Sequence, residues 1–279
     1  MLSGVFKMTS KLWVSLLFSA LALAIIGCAP SEFVTARADC DITFLPDPTG
    51  QWAQYQADIT ADVAGLEAFW QDTFPVMWGR PFESPCSVEY EPATVPYQAT
   101  CGLTPEVATG NAFYCSPEHV VMWDAPTLFQ PLYVELGPAS LTFIIAHEYG
   151  HAAQFTSGTM PSRSVNRELQ ADCYAGAYLA YAQDMGTITQ EDAQAVIGVV
   201  AMVGQSRVGS TWITRTHGTS GQRVLSMRHG YQNGVAGCEI DFEAWVQNAQ
   251  EGNIQVPTPN PDRPRPAVED RPNLPGPRR

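Results

Sequence analysis

The chain has 279 residues, 45% of them hydrophobic, and a formal net charge of −13. That length and apolar content suffice for one large domain or two lobes around a real core, which excludes disorder of the whole chain. The acidic balance excludes charge-driven binding to nucleic acid or to an anionic membrane face.

The N-terminus reads as a targeting segment. The only lysines, Lys7 and Lys11, flank the start of a region whose apolar run LWVSLLFSALALAII is short for a membrane span. Ile25-Ile26-Gly27-Cys28 follows. It resembles the bacterial lipobox, in which the cysteine carries lipid and becomes the first residue after cleavage. A lipoprotein signal peptide is therefore expected over 1–27, with lipidation at Cys28. Loss of 1–27 leaves 13 Arg against 28 Asp plus Glu, a net charge of −15. The mature chain is expected outside the cytoplasm, held to a bacterial membrane by acyl chains. An ordinary signal peptide cut nearby is the alternative.

Six further cysteines, Cys40, Cys86, Cys101, Cys115, Cys173 and Cys238, are an even set, which suits disulfides in an exported protein. Cys101–Cys115 ranks first because the two bracket a glycine-containing loop, followed by Cys173–Cys238 and Cys40–Cys86. Buried free thiols are the competing reading. Zinc ligation by these cysteines is weak, since no CxxC pair exists.

The predicted elements follow in chain order. Residues 28–50 read as a lipidated tether with Pro30, Pro46, Pro48 and Gly50. From Gln51 to Phe74 the spacing of Val63, Leu66, Phe69 and Trp70 predicts a helix closed by Pro75. Residues 80–125 carry three β-like runs, CSVEYEP, AFYC and VVMWD, and predict a small, partly irregular sheet. A helix is expected over 138–156, with Pro138 suited to its first turn. A second covers 164–185 and stops at Gly186. Thr189 with Asp192 predicts a capping-box start for a third, running to Gln205. A fourth is expected over 220–230, ending at Gly230, and a short one over 240–250. The segment 251–279 is proline-rich and lacks apolar periodicity, so it reads as a disordered tail. The folded domain is thus expected over 51–250, and its class is α+β, mainly helical.

The chemistry lies in the third predicted element, TFIIAHEYGHAAQF. His147-Glu148-Tyr149-Gly150-His151 is HEXXH. Positions i and i+4 share a helix face, so both imidazoles reach one ion. Glu148 lies about 100° round the helix from His147, where it serves as general base without being a ligand. A catalytic zinc needs a third protein ligand and an open fourth position. RELQADC supplies Glu168 and Asp172, again at i and i+4. Glu168 completes a His₂Glu set, and Asp172 is placed to accept the N–H of a ligand histidine. Alone, this pair would read as a solvated helix face. The implied cofactor is one Zn²⁺ per chain, with no organic cofactor.

IIAHEYGHAAQ, RELQADCYAG and THGTSGQR resemble, in order, three motifs of the bacterial neutral zinc metallopeptidase family, and NAFYCSPEHVVMWD resembles the segment before that family's zinc helix. The likeness covers about residues 60–240. HEXXH with a downstream Glu-x-x-x-Asp is also the gluzincin pattern. The resemblance implies a zincin-like fold with a small sheet beside the zinc helix, and peptidase activity on a peptide or protein substrate. It also implies the ligands His147, His151 and Glu168 with Glu148 as base. TGNAFYC departs from the Gly-Pro expected before the aromatic, which bears only on that loop.

Other candidates carry two readings each. His217, in THGTSGQR, is either a donor to the oxyanion of the tetrahedral intermediate or a loop histidine packed locally. Arg223 is an ion-pair partner holding that loop, or a surface arginine. Gln154 lies one turn beyond His151, either supporting a ligand or on plain helix surface. His229 is expected to be structural, a cation near a helix C-terminus, and His119 to be exposed. Tyr149 and Tyr174 are expected in the core. VVMWD at 120–124 is either an edge strand that pairs with extended substrate or an ordinary buried strand.

The reading is a membrane-tethered, extracytoplasmic zinc metallopeptidase. Its rivals are a non-catalytic zinc-stapled envelope lipoprotein, a cell-wall amide hydrolase, and a protein whose proline-rich tail docks a partner.

Overall fold

The first helix, α1 (Ala53–Trp78), buries Tyr55, Ile59, Leu66, Trp70 and Phe74 along one stripe, the 3–4 spacing that seats a helix on a core. It belongs to a computed structural model that describes residues 40–205, 217–242, 244 and 245, all within the unit 36–279. Pro75 does not close this helix. It sits inside, and the helix ends at Gly79, whose N–H bonds to the Pro75 carbonyl in a left-handed turn. The missing N–H and the ring of an internal proline cost about 3 kcal/mol. The last turn is held because Trp78 packs on Phe74 at 4.5 Å and on Tyr174, while Phe82 stacks on Trp70 at 5.6 Å.

The three predicted β-runs form one sheet: β1 (Cys86–Tyr90), β2 (Ala112–Cys115) and β3 (Val120–Asp124), in the order β1-β3-β2. β1 runs parallel to β3 with Cys86 opposite Val120, and β2 runs antiparallel with Ala112 opposite Trp123. VVMWD is therefore the central strand, buried at all five positions, and the edge-strand reading is corrected. A run with no polar alternation is what burial on both faces demands. Among the described residues, the unpaired edge on that side belongs to β2.

Within the stretch read as a tether, Ile42 and Phe44 pack against the core. Thr43 bridges Val88, and Asp47 accepts the N–H of Trp52 at the start of α1. Two single turns, α2 (Gln98–Cys101) and α3 (Pro105–Ala108), link β1 to β2, and α4 (Gln130–Leu136) follows β3.

Among the described residues four longer helices follow: α5 (Ala139–Ser157), α6 (Ser164–Asp184), α7 (Gln190–Gln205) and α8 (Ser220–Asn233). α5 begins directly after Pro138, and α6 gives way to Gly186 at φ 74°. The start of α7 is the expected box: Asp192 N–H donates to Thr189 Oγ1 at 3.1 Å, and Thr189 N–H to Asp192 Oδ2 at 2.8 Å. α8 passes through Gly230 and stops three residues later, before Gly234. Gly230 is needed for packing: a Cβ there would lie 1.7 Å from the carbonyl oxygen of Cys173 on α6, and one on Gly176 would lie 1.9 Å from that of Met227 on α8. Of the helix expected over 240–250, Phe242, Ala244 and Trp245 are helical, whereas Ile240 and Asp241 are not; residues 243 and 246–250, Cys28 and the 251–279 tail lie outside the described residues.

The molecule is mainly helical, with one small mixed sheet. Cys40–Cys86, Cys101–Cys115 and Cys173–Cys238 are bridged, the form such cysteines take in an oxidising, extracytoplasmic compartment. No described helix is long and apolar enough to cross a membrane.

Candidate metal centre

The site forms where α5 meets α6. Gly150, inside HEXXH, faces Ala171 so closely that an added Cβ would stand 3.1 Å from the Ala171 Cα. The small pair lets the helices approach until Glu168 reaches both histidines. Glu168 Oε2 lies 3.4 Å from His147 Nε2, and Oε1 lies 3.6 Å from His151 Nε2. One ligand atom from each of His147, His151 and Glu168 falls within 4.8 Å of the others. Tetrahedral zinc with bonds near 2.0–2.2 Å separates its ligands by roughly 3.3–3.5 Å. Two imidazoles and one carboxylate at these distances fit zinc in both donor type and spacing.

Each imidazole is held from behind. His147 Nδ1 lies 2.8 Å from Asp172 Oδ1. Burial pushes the Asp172 carboxyl up, but the Arg223 guanidinium and His147 outweigh it and hold it below the ordinary value. An ionised carboxylate only accepts, so Nδ1 carries the proton and Nε2 faces Glu168. Burial likewise opposes a charge on His147, yet Asp172 and Glu168 carry its pKa up to about 10. Burial also pushes Glu168 up; the imidazoles of His151, His147 and His217 overcome this and hold it well below the usual carboxylate range. His151 Nδ1 meets Gln154 Oε1 at 2.9 Å. Gln154 is thus buried against His151 and not plain helix surface.

Arg223 is buried and binds Asp172 through two nitrogens, so the surface-arginine reading is dropped. His217 reaches the site: its Nδ1 stands 2.9 Å from Glu168 Oε2, with the side chain 40% exposed. Glu148 is 7% exposed, one position along α5 from His147. Tyr149 and Tyr174 are in the core. Two expectations are corrected. His119 is half-buried, with Nδ1 on the Tyr114 hydroxyl at 2.7 Å and Nε2 on the Glu83 carbonyl at 3.0 Å. His229 is structural, as expected, with its Nε2 on the Gly237 carbonyl at 2.9 Å and its ring against Trp245, but burial lowers its pKa, so the part corrected is its reading as a helix-end cation. Gln170, which donates to the Cys238 carbonyl, was missed. It lies two positions from Glu168, off the ligand face, and no spacing rule singles it out.

A family model described as "Putative neutral zinc metallopeptidase" matches residues 14–240. The chain belongs to this family. An uncharacterized protein of Mycobacterium tuberculosis, Rv2575, is 29% identical over 167 residues, which is 49% of this chain and 57% of the relative. The uncharacterized protein YpfJ of Escherichia coli K12 is 27% identical over 185 residues, 56% of this chain and 63% of the relative. The chain spans about three fifths of the length of these relatives. No solved structure matches it. In this zinc metallopeptidase family member, the His147–His151–Glu168 cluster is consistent with a zincin-like site.

Proposed function

We propose that this chain is a membrane-tethered, extracytoplasmic zinc peptidase, with His147, His151 and Glu168 as ligands and Glu148 as general base. The observation that carries the reading is the convergence within 4.8 Å of ligand atoms from His147 and His151, on the helix that also carries Glu148, and from Glu168 on α6. Family membership supports peptide as the substrate class. When bound, zinc supplies Lewis acidity for a carbonyl and lowers the pKa of water toward about 7.

The chain's own residues do the rest. Glu148 takes the proton of the attacking water and passes it to the leaving amine nitrogen. Asp172 keeps the proton of His147 on Nδ1, which leaves the Nε2 lone pair for the ion. Arg223 keeps Asp172 ionised. His217, beside Glu168, donates to the oxyanion as the tetrahedral intermediate forms. The disulfides support an extracytoplasmic location, and Ile25-Ile26-Gly27-Cys28 supports tethering by lipid. The peptidase domain is placed over 51–250, and 251–279 are assigned to a tail, on the sequence pattern alone.

The test is the zinc content of the purified, oxidised mature chain, wild type and Glu168→Ala in parallel. Near-stoichiometric zinc in wild type, sharply reduced in the variant, is expected. A folded wild type that takes up no zinc when supplied with it overturns the reading. Casein and purified peptidoglycan as substrates then separate a peptidase from a cell-wall amide hydrolase, and zinc without turnover on either returns the site to a structural staple.

A further inference from the structure

We propose that Gln154 and Gln170 form a positioning relay that fixes which nitrogen of His151 faces the metal; this rests on the zinc reading above. Both amides are buried, Gln154 at 0% and Gln170 at 3% exposure. Gln154 Nε2 donates to the Arg167 carbonyl at 2.8 Å and to Gln170 Oε1 at 3.0 Å. Gln170 Nε2 donates to the Cys238 carbonyl at 3.1 Å and approaches Glu239 Oε1 at 3.4 Å.

The direction of the whole chain follows from its ends. A backbone carbonyl only accepts. The Cys238 carbonyl therefore turns the Gln170 NH₂ toward itself and its Oε1 toward Gln154. The Arg167 carbonyl and Gln170 Oε1 then take both protons of the Gln154 NH₂. Gln154 is left with Oε1 toward His151, 2.9 Å from Nδ1. An oxygen that only accepts requires the proton on Nδ1, so Nε2 presents its lone pair on the side of Glu168, 3.6 Å away. Neither amide can flip alone, because a flip would set two acceptors against each other in a dry interior.

The two ligand histidines are thus oriented by different chemistry. His147 has a carboxylate, Asp172, which is neutralised by Arg223. His151 has a neutral amide. Glu148, Glu168 and Asp172 already place three carboxyl groups here, and a fourth behind His151 would add further buried negative charge. An amide locked at its far end orients the ring without that charge. Cys238 is bridged to Cys173, so the anchoring carbonyl belongs to a segment cross-linked to α6 itself.

Zinc affinity is measured by competition with a chelator on the purified chain, for wild type, Gln154→Met, Gln170→Met and the double variant. Gln154→Met should weaken zinc binding by roughly 10- to 100-fold, the usual cost of losing such a support. Gln170→Met should give a smaller loss that vanishes in the Gln154→Met background, since it acts only through that residue. Zinc affinity within about twofold of wild type in a folded Gln154→Met protein, or fully additive losses in the double variant, overturns the relay while leaving the metal site standing. Wild type that binds no zinc overturns both. The ¹⁵N–¹H spectrum of the zinc-loaded wild type needs no variant to fold: a proton on His151 Nδ1 is expected, and one on Nε2 overturns the proposal.

Discussion

Arg223 grips Asp172 with two hydrogen bonds, Nε to Oδ2 at 2.8 Å and Nη2 to Oδ1 at 2.7 Å, and both side chains are buried. The same Oδ1 contacts His147. One carboxylate therefore joins α8 to α6 and orients an imidazole on α5. Asp172→Ala strands the Arg223 cation in the interior, which should cost about 3–5 kcal/mol of stability. It should also weaken zinc binding by roughly 10- to 100-fold. Urea unfolding and chelator competition read the two effects separately. A variant as stable as wild type would show that the pair is not holding these helices.

Glu148→Gln keeps the shape of the side chain and removes its basicity. The variant should retain zinc and fold normally, and peptide cleavage should fall by roughly 10²- to 10⁴-fold, the range supplied by a positioned general base. Turnover at the wild-type rate on any peptide the native chain cleaves would take Glu148 out of the mechanism.

The α6–α8 contact is set by glycines, and that is testable on either side. Gly230→Ala drives a methyl into the Cys173 carbonyl, a backbone atom that cannot swing away, so a loss of about 1–3 kcal/mol or more is expected. Gly198→Ala on α7 is the control: it is exposed and nothing lies within 4 Å. There the gain in helix propensity should stabilise by up to about 1 kcal/mol. Thermal melts of the two variants should move in opposite directions.

Glu89 on β1 gives a pH signature away from the metal site. Burial pushes its carboxyl above the ordinary 4.5, against the opposing hydrogen bonds from the Tyr55 hydroxyl and the Leu45 N–H. The native state then holds more protons than the unfolded chain as pH rises from 4.5 to the raised value. Stability from this group is therefore full at acid pH, falls across that window and levels off above it. Glu89→Gln removes the dependence. In urea titrations from about pH 4 to pH 8, the variant should gain on wild type as pH rises through the window. A constant difference across the range would contradict the shift.

Much of the site was readable before any packing was known, for a geometric reason. HEXXH at i and i+4 places His147 and His151 on one helix face whatever surrounds it, and Glu168 with Asp172 repeats the spacing. The three strands were equally readable, since runs such as AFYC and VVMWD suit a pleated surface. So was the start of α7, where Thr189 and Asp192 act over three residues. Pro75 misled, because the aromatic contacts of Trp78 come from Phe74 in the preceding turn and from Tyr174 far along the chain. Gly230 misled for a similar reason: a glycine that ends a helix and one that admits a neighbouring backbone look alike in sequence.

The amino-acid order by itself determined the candidate ligand types, their helical spacing, the β-runs and the even set of cysteines, because each depends on residues a few positions apart. Only the tertiary structure decided that VVMWD is the central strand, that Arg223 is buried against Asp172, that His217 meets Glu168, and that Gln154 is locked through Gln170 to the Cys238 carbonyl. Those partners lie on different elements. Which groups meet is fixed by how closely the elements pack, and that closeness depends on small residues such as Gly150, Gly176 and Gly230, which allow the backbones to approach.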